Sequence, residues 1–161
     1  MKRMLMAAGG LAALITLTAT VPMGAHAEAL YTLESSCSLE EGAPQPCVIE
    51  ASEEKNATVY RHRIGNQIET IRITDVPVRM SRWDADSNSW MMLDSVGARF
   101  STNTICFNGL RLCVVNANYL NSVREEEPEA TAGRDLIRVK FDRDGRVLLT
   151  CYDEGCKELK G

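Results

Sequence analysis

Few side chains in this 161-residue sequence could do bond-making chemistry. His62 and Glu69 supply the acid–base possibility, since a carboxylate beside an imidazole orients the ring and raises its pKa, as a small hydrolase would require. No Ser or Cys can be placed beside them from the sequence, so a cross-strand polar pair accounts for them better and no catalytic residue is assigned. Asp84, Asp86 and Asn88 have the alternate spacing that converges on a calcium ion. Ser89 stands where that loop needs Gly and Ser95 where it needs a bidentate Glu, which leaves a polar hairpin loop, with no metal and no cofactor expected. The six cysteines, Cys37, Cys47, Cys106, Cys113, Cys151 and Cys156, contain no C-x-x-C spacing and share the stretch after residue 27 with a single histidine. Metal or thiol redox chemistry is therefore disfavoured, and the near-neighbour spacing predicts the disulfides Cys37–Cys47, Cys106–Cys113 and Cys151–Cys156, each closing a short loop that bends at Gly or Pro.

What remains is recognition. Residues 28–58 and 125–161 are net acidic, whereas 59–83 carries Arg61, Arg63, Arg72, Arg79 and Arg82 and no Lys. Arginine suits bidentate contacts with carboxylates and phosphates, so Arg61, Arg63 and Arg72, together with Trp83 and Trp90, are the candidate ligand-binding residues, and the expected partner is a protein or an anionic ligand. The simpler account is a solvated face whose arginines pair with the acidic segments. A formal charge of −4 argues against nucleic acid as that partner. The sequence assigns no oligomeric state.

Strands must position these residues. Segments 56–64 and 67–74 flank Gly65-Asn66, a dipeptide suited to a primed two-residue turn, and this register sets His62 opposite Glu69 with Arg61, Arg63 and Arg72 on the other face. A second hairpin, 78–83 with 90–93, sets Trp83 across from Trp90. A third joins 99–107 to 110–116. There a two-residue Asn-Gly turn would oppose Cys106 and Arg111, whereas a four-residue loop opposes Cys106 and Cys113, so the disulfide requires the longer loop. The fourth, 136–142 with 146–151 around Arg143-Asp144-Gly145, would put Ile137, Val139, Phe141, Val147, Leu149 and Cys151 on one face. A short helix is expected over 118–127, stopped by Pro128, with 129–133 as a loop.

The first 27 residues have the form of a cleaved signal peptide: Lys2 and Arg3, an apolar stretch, then Ala25-His26-Ala27. The expected domain is 28–161, periplasmic or secreted, with no membrane contact once the leader is removed. About eight strands and at most one helix predict an all-β fold, a small antiparallel sandwich or barrel stapled by disulfides.

Ser95-Val96-Gly97-Ala98-Arg99-Phe100-Ser101 resembles the Ser-Gly-Ala-Arg-Tyr stretch of the periplasmic C-type lysozyme inhibitors, with Phe100 in place of the Tyr and a different Ser-to-Gly spacing. That resemblance implies a small disulfide-bearing β-barrel that inserts a loop into a lysozyme cleft, with Ser95 and Phe100 at motif positions. Arg79-Met80-Ser81-Arg82-Trp83-Asp84 and Ala98-Arg99-Phe100-Ser101-Thr102-Asn103-Thr104 are similar to segments of small exported cyanobacterial proteins, a resemblance that implies no activity. The residues by themselves point to an exported, non-catalytic binding or structural domain; a lysozyme-inhibitor-like protein is the first alternative and a small hydrolase the second.

Overall fold

The computed structural model describes residues 27–158. The leader expected over 1–27 lies, apart from Ala27, outside the described residues. In chain order the elements are β1 (Glu28–Leu39), β2 (Gln45–Glu54), β3 (Ala57–Ile64), β4 (Gln67–Asp75), β5 (Val78–Asp84), β6 (Ser89–Met92), β7 (Ser95–Arg99), β8 (Thr104–Phe107) and β9 (Leu112–Val115). After these come α1 (Ala117–Glu126), α2 (Pro128–Thr131), β10 (Leu136–Phe141), β11 (Val147–Tyr152) and β12 (Gly155–Glu158). All twelve strands belong to one antiparallel sheet in the order β12-β11-β10-β7-β8-β9-β1-β2-β3-β4-β5-β6.

Most neighbours in that order are simple hairpins. Gly65 has φ +57, the left-handed start of a two-residue turn, and Ile64 faces Gln67 as the sequence predicts. Cys106 lies directly opposite Cys113, so the longer loop is the one formed. All three predicted disulfides are present, and no cysteine among the described residues is free. Three bridges in a small β domain are compatible with an oxidising or extracellular compartment. Two pairings are not between consecutive strands: β7 with β10, and, more distant in sequence, β1 with β9, where Cys37, Ser38 and Leu39 meet Val114, Cys113 and Leu112.

The order leaves β6 and β12 as edges, yet only Leu93 and Asp94 separate β6 from β7. Three Cα steps span at most about 11 Å. The path through the sheet from β7 to β6 crosses eight strand spacings, roughly 38 Å. The sheet must therefore curl so that the end of β6 lies near the start of β7, although the two strands are not paired and the sheet remains open. The curl encloses the apolar core: Cys37, Cys47, Ile49, Ile64, Ile71, Leu93, Ile105, Phe107, Leu112 and Val114 are all buried. Alternation generates this interior, as in Ile105 and Phe107 facing inward while Cys106 faces out. Helix α1 packs its Tyr119 and Leu120 inward, and its start is fixed by Asn116, whose Oδ1 accepts from the Tyr119 N–H at 3.0 Å.

Three expectations change. Twelve strands replace eight: β1, β2 and β12 carry mixed polar sequences whose pairing, not their composition, makes them strands, and the strand expected over 99–107 is broken by a turn at 100–103, which leaves β8 (Thr104–Phe107) and makes β7 (Ser95–Arg99) a separate strand. Residues 128–131 form the single-turn α2 in place of a loop, with Pro128 at its first position, where a missing N–H costs nothing. The fourth hairpin has a bulge: Phe141 faces Val147, but Lys140 faces Leu149, Arg138 faces Cys151 and Val139 faces Thr150. Leu148 is the extra residue, and a one-residue slip turns everything beyond it to the other face. Val147 is consequently paired with Phe141 while Leu149 and Cys151 stand with the cations Lys140 and Arg138, away from Ile137 and Val139.

The turn of this hairpin also lies against side chains of β5 and β6. Gly145 has φ +73, and a Cβ there would lie 2.8 Å from Arg79 Cδ and 3.1 Å from Met92 Sδ, side chains of β5 and β6. Gly109 has nearly the same backbone, φ +68, with nothing near its missing Cβ. Gly145→Ala should therefore cost more than the about 1 kcal/mol that left-handed strain alone imposes on Gly109→Ala. Urea unfolding of the two variants measures the difference, and equal losses would show that this contact tolerates a methyl group.

Candidate functional site

Cross-strand register builds one face from the residues chosen in the sequence. Glu50, Arg61 and Thr70 lie side by side on β2, β3 and β4, and the β4–β5 register continues the row to Trp83 and Trp90. This row is on the outside of the curl, because the alternate residues His62 and Ile64 are buried in the core. A groove of about 520 Å³ runs along it, lined by Arg61, Trp83 and Trp90 with Thr70, Glu50 and Val59. Arg72 sits on the next row, opposite Val59 and Ser81, beside the groove.

The three arginines have different partners. Arg63 is paired with Glu50, its Nη2 2.9 Å from Oε1 and 3.0 Å from Oε2. The Arg72 guanidinium lies over the Trp90 ring at 4.3 Å from its centroid, and Trp83 meets Trp90 edge-on at 5.3 Å. Trp90 is thus held between a cation and a second indole, both contacts favoured by the ring quadrupole. The Nε of Arg72 is buried without a hydrogen-bond partner among the described residues. Arg61 is exposed, and it has no ion pair among the described residues.

His62 is placed differently from what acid–base work requires. It is only 2% exposed, and its Nδ1 donates to the backbone carbonyl oxygen of Glu69 at 3.2 Å, so the carbonyl and not the carboxylate is its partner. Burial pushes its pKa down to about 4, only partly opposed by that hydrogen bond. The imidazole is a neutral core side chain near the Phe107 ring. Three tyrosines close to α1 behave similarly. Burial raises the pKa of Tyr31 and Tyr60 and pushes Tyr119 up to about 12, which keeps their hydroxyls protonated for packing and hydrogen bonding.

The acidic trio forms a turn. Asp84 Oδ2 accepts from the backbone N–H of Ser87 at 3.2 Å and from its hydroxyl, and Oδ1 accepts from Arg82 Nη1 at 3.3 Å. These bonds, the Ser87 hydroxyl first, hold the Asp84 carboxyl below its ordinary pKa. No group of three or more His, Cys, Asp or Glu among the described residues is arranged to hold a metal ion. No helix among them is long and apolar enough to cross a membrane.

Ser95–Arg99 is β7, a strand paired on both sides with β8 and β10, and Phe100 is 5% exposed. The segment that resembles the lysozyme inhibitors is therefore a central strand followed by a buried aromatic. Its outward face, though, lies in a second groove, of about 620 Å³, that the sequence reading missed. Arg99, Arg138 and Lys140 line it. Alternation along β10 was the available signal, since Leu136, Arg138 and Lys140 must share a face once 136–141 is a strand.

Comparison with protein-family models, curated proteins and solved structures finds no match to this chain.

Proposed function

We propose that the chain is an exported, non-catalytic binding domain of the periplasm or exterior whose partner is a protein engaging the groove of Arg61, Trp83 and Trp90. The observation that carries this reading is the convergence, in one concavity on the outside of the sheet, of two half-buried indoles and an arginine that has no ion pair among the described residues. Tryptophan and arginine are the side chains most often responsible for protein–protein affinity, through large desolvated area and fork-shaped hydrogen bonding. Arg72 supports the platform by stacking on Trp90, and Arg63 is already committed to Glu50. Among the described residues, the buried neutral His62 with only a carbonyl partner supports the non-catalytic part of the reading.

A photo-cross-linking side chain at Thr70, on the groove wall, tests it in cells that export the protein. A discrete protein adduct is expected, with its yield lowered about tenfold or more by Arg61→Glu or Trp90→Ala, the loss typical of a central contact residue. The reading fails if position 70 gives no adduct beyond those formed from position 157 on the β12 edge, or if both substitutions leave the yield unchanged.

A further inference from the structure

The second groove has a charge lining opposite in sign to the protein that carries it. In a chain of formal charge −4, its walls contain Arg99, Arg138 and Lys140 and, among the described residues, no Asp or Glu. Arg99 is paired with Asp135 at 2.9 Å, which leaves the exposed Arg138 and Lys140 without a salt-bridge or side-chain hydrogen-bond partner among the described residues. They stand two residues apart on one face of β10, about 7 Å along the strand.

Apolar surface lies next to these charges. Leu110 is 50% exposed at one end of the groove, Leu136 is on its wall, and Cys106, bridged to Cys113, is on its floor. Register puts Gly97 at the centre, between Arg138 of β10 and Cys106 of β8. Gly97 is not among the residues with positive φ, so its backbone does not call for glycine. In a strand, glycine forgoes side-chain packing and weakens the pairing, and it marks places where another group comes close to the backbone. Here a Cβ would lie 3.4 Å from Arg138 Cγ. The missing side chain thus leaves the floor open and lets the arginine stem lie across it.

We propose that this groove binds a small amphipathic anion, its acidic head held by Arg138 and Lys140 and its apolar body lying over Gly97 against Leu110, Leu136 and the Cys106–Cys113 bridge. The volume is within the range of small-molecule sites. The two cations supply charge-assisted hydrogen bonds to a carboxylate or phosphate head, and no acid among the described lining residues competes for them. Because β7 is paired on both sides, no added strand can engage its backbone, so an occupant binds through side-chain contacts alone.

Dodecanoate, titrated calorimetrically below the concentration at which it self-associates, is the probe. Saturable binding at one site is expected, weakened about tenfold or more by Arg138→Gln and by Lys140→Gln, the loss of one charge-assisted bond in each case. Arg143→Gln makes the same charge change on the β10–β11 turn and should have no such effect. Gly97→Val should abolish binding by filling the floor; the two glutamine variants, at exposed positions, keep the test decisive if the valine variant does not fold. Uncharged dodecanol and tailless acetate should both bind far more weakly, since each lacks half of the match. Vesicles of phosphatidylglycerol distinguish a free amphiphile from a lipid surface: equal affinity for vesicles would assign the same chemistry to a lipid head group. Absence of saturable dodecanoate binding, or binding indifferent to Arg138, Lys140 and Gly97, would overturn the proposal.

Discussion

Removing the Cys37–Cys47 bridge with the pair Cys37→Ala and Cys47→Ala should lower the free energy of unfolding by about 3 kcal/mol or more, the largest loss among the three disulfides. The sulfurs join residues separated by 10 in sequence. Constraining the unfolded chain by a loop of that size contributes about 3 kcal/mol on loop-closure grounds. The core adds to it, because Cys37 is 1% and Cys47 5% exposed and the substitution removes buried atoms from among Ile49, Ile64 and Leu112. The Cys151–Cys156 pair is the natural comparison. Its separation is 5 and Cys156 is on an exposed edge strand, so the same double substitution there should cost about 2 kcal/mol. Urea unfolding of both variants beside the parent protein gives the two numbers. A loss at the core bridge no greater than at the edge bridge would mean that burial contributes nothing there.

Acidification should weaken the fold through His62 before it does so through the carboxylates. The folded pKa of about 4 lies below the ordinary 6.5, so between these values the unfolded chain binds the proton and the folded chain does not. Stability from this group is complete above pH 6.5 and is lost as pH falls towards 4, where charging the buried ring would leave a cation in the core. The full shift corresponds to about 3 kcal/mol. Asp84, Asp135 and Glu154 are held below their ordinary values chiefly by hydrogen bonds from Ser87, Ser101 and Arg134, and their contributions are lost at lower pH, as those carboxylates protonate. Unfolding free energies at pH 7 and pH 4.5 should therefore differ in the parent by much more than in His62→Leu, which keeps an apolar side chain at the site and cannot titrate. Equal pH slopes in the two proteins would show that the ring is solvated in the folded state.

Much of this arrangement was legible in residue order because hairpins are local. Gly65-Asn66 fixed the His62–Glu69 register, and the two tryptophans were bound to meet once their loop was recognised. The disulfides followed from spacing alone. What stayed hidden depends on distant partners or on a single inserted residue. Glu28–Leu39 alternates weakly and becomes a strand by pairing with β2 along its length and with β9 near its end. Leu148 gives no sign in the sequence that it will bulge, yet it decides which face Leu149 and Cys151 occupy. The pairing of Arg63 with Glu50 and the stacking of Arg72 on Trp90 likewise required side-chain positions, so the sequence could nominate three equivalent arginines but not tell which would be occupied.

The seam between β1 and β9 has a kinetic meaning. Every other neighbour pair except β7 with β10 joins consecutive strands, so those contacts form within short stretches of chain. At the seam, residues 37–39 must find residues 112–114, across all of β2 to β8. The entropy of closing that large loop is offset by three ladder pairs and the few bonds flanking them, from Glu40 to Arg111, Glu41 to Leu110 and Ser35 to Val115, whereas the hairpins on either side close cheaply. Two blocks of hairpins can therefore assemble quickly and independently, but the curl, and with it the core between them, exists only once this short seam is made. The speed at which the domain becomes native is then governed by Cys37, Ser38 and Leu39 meeting their partners, more than by the strength of any hairpin.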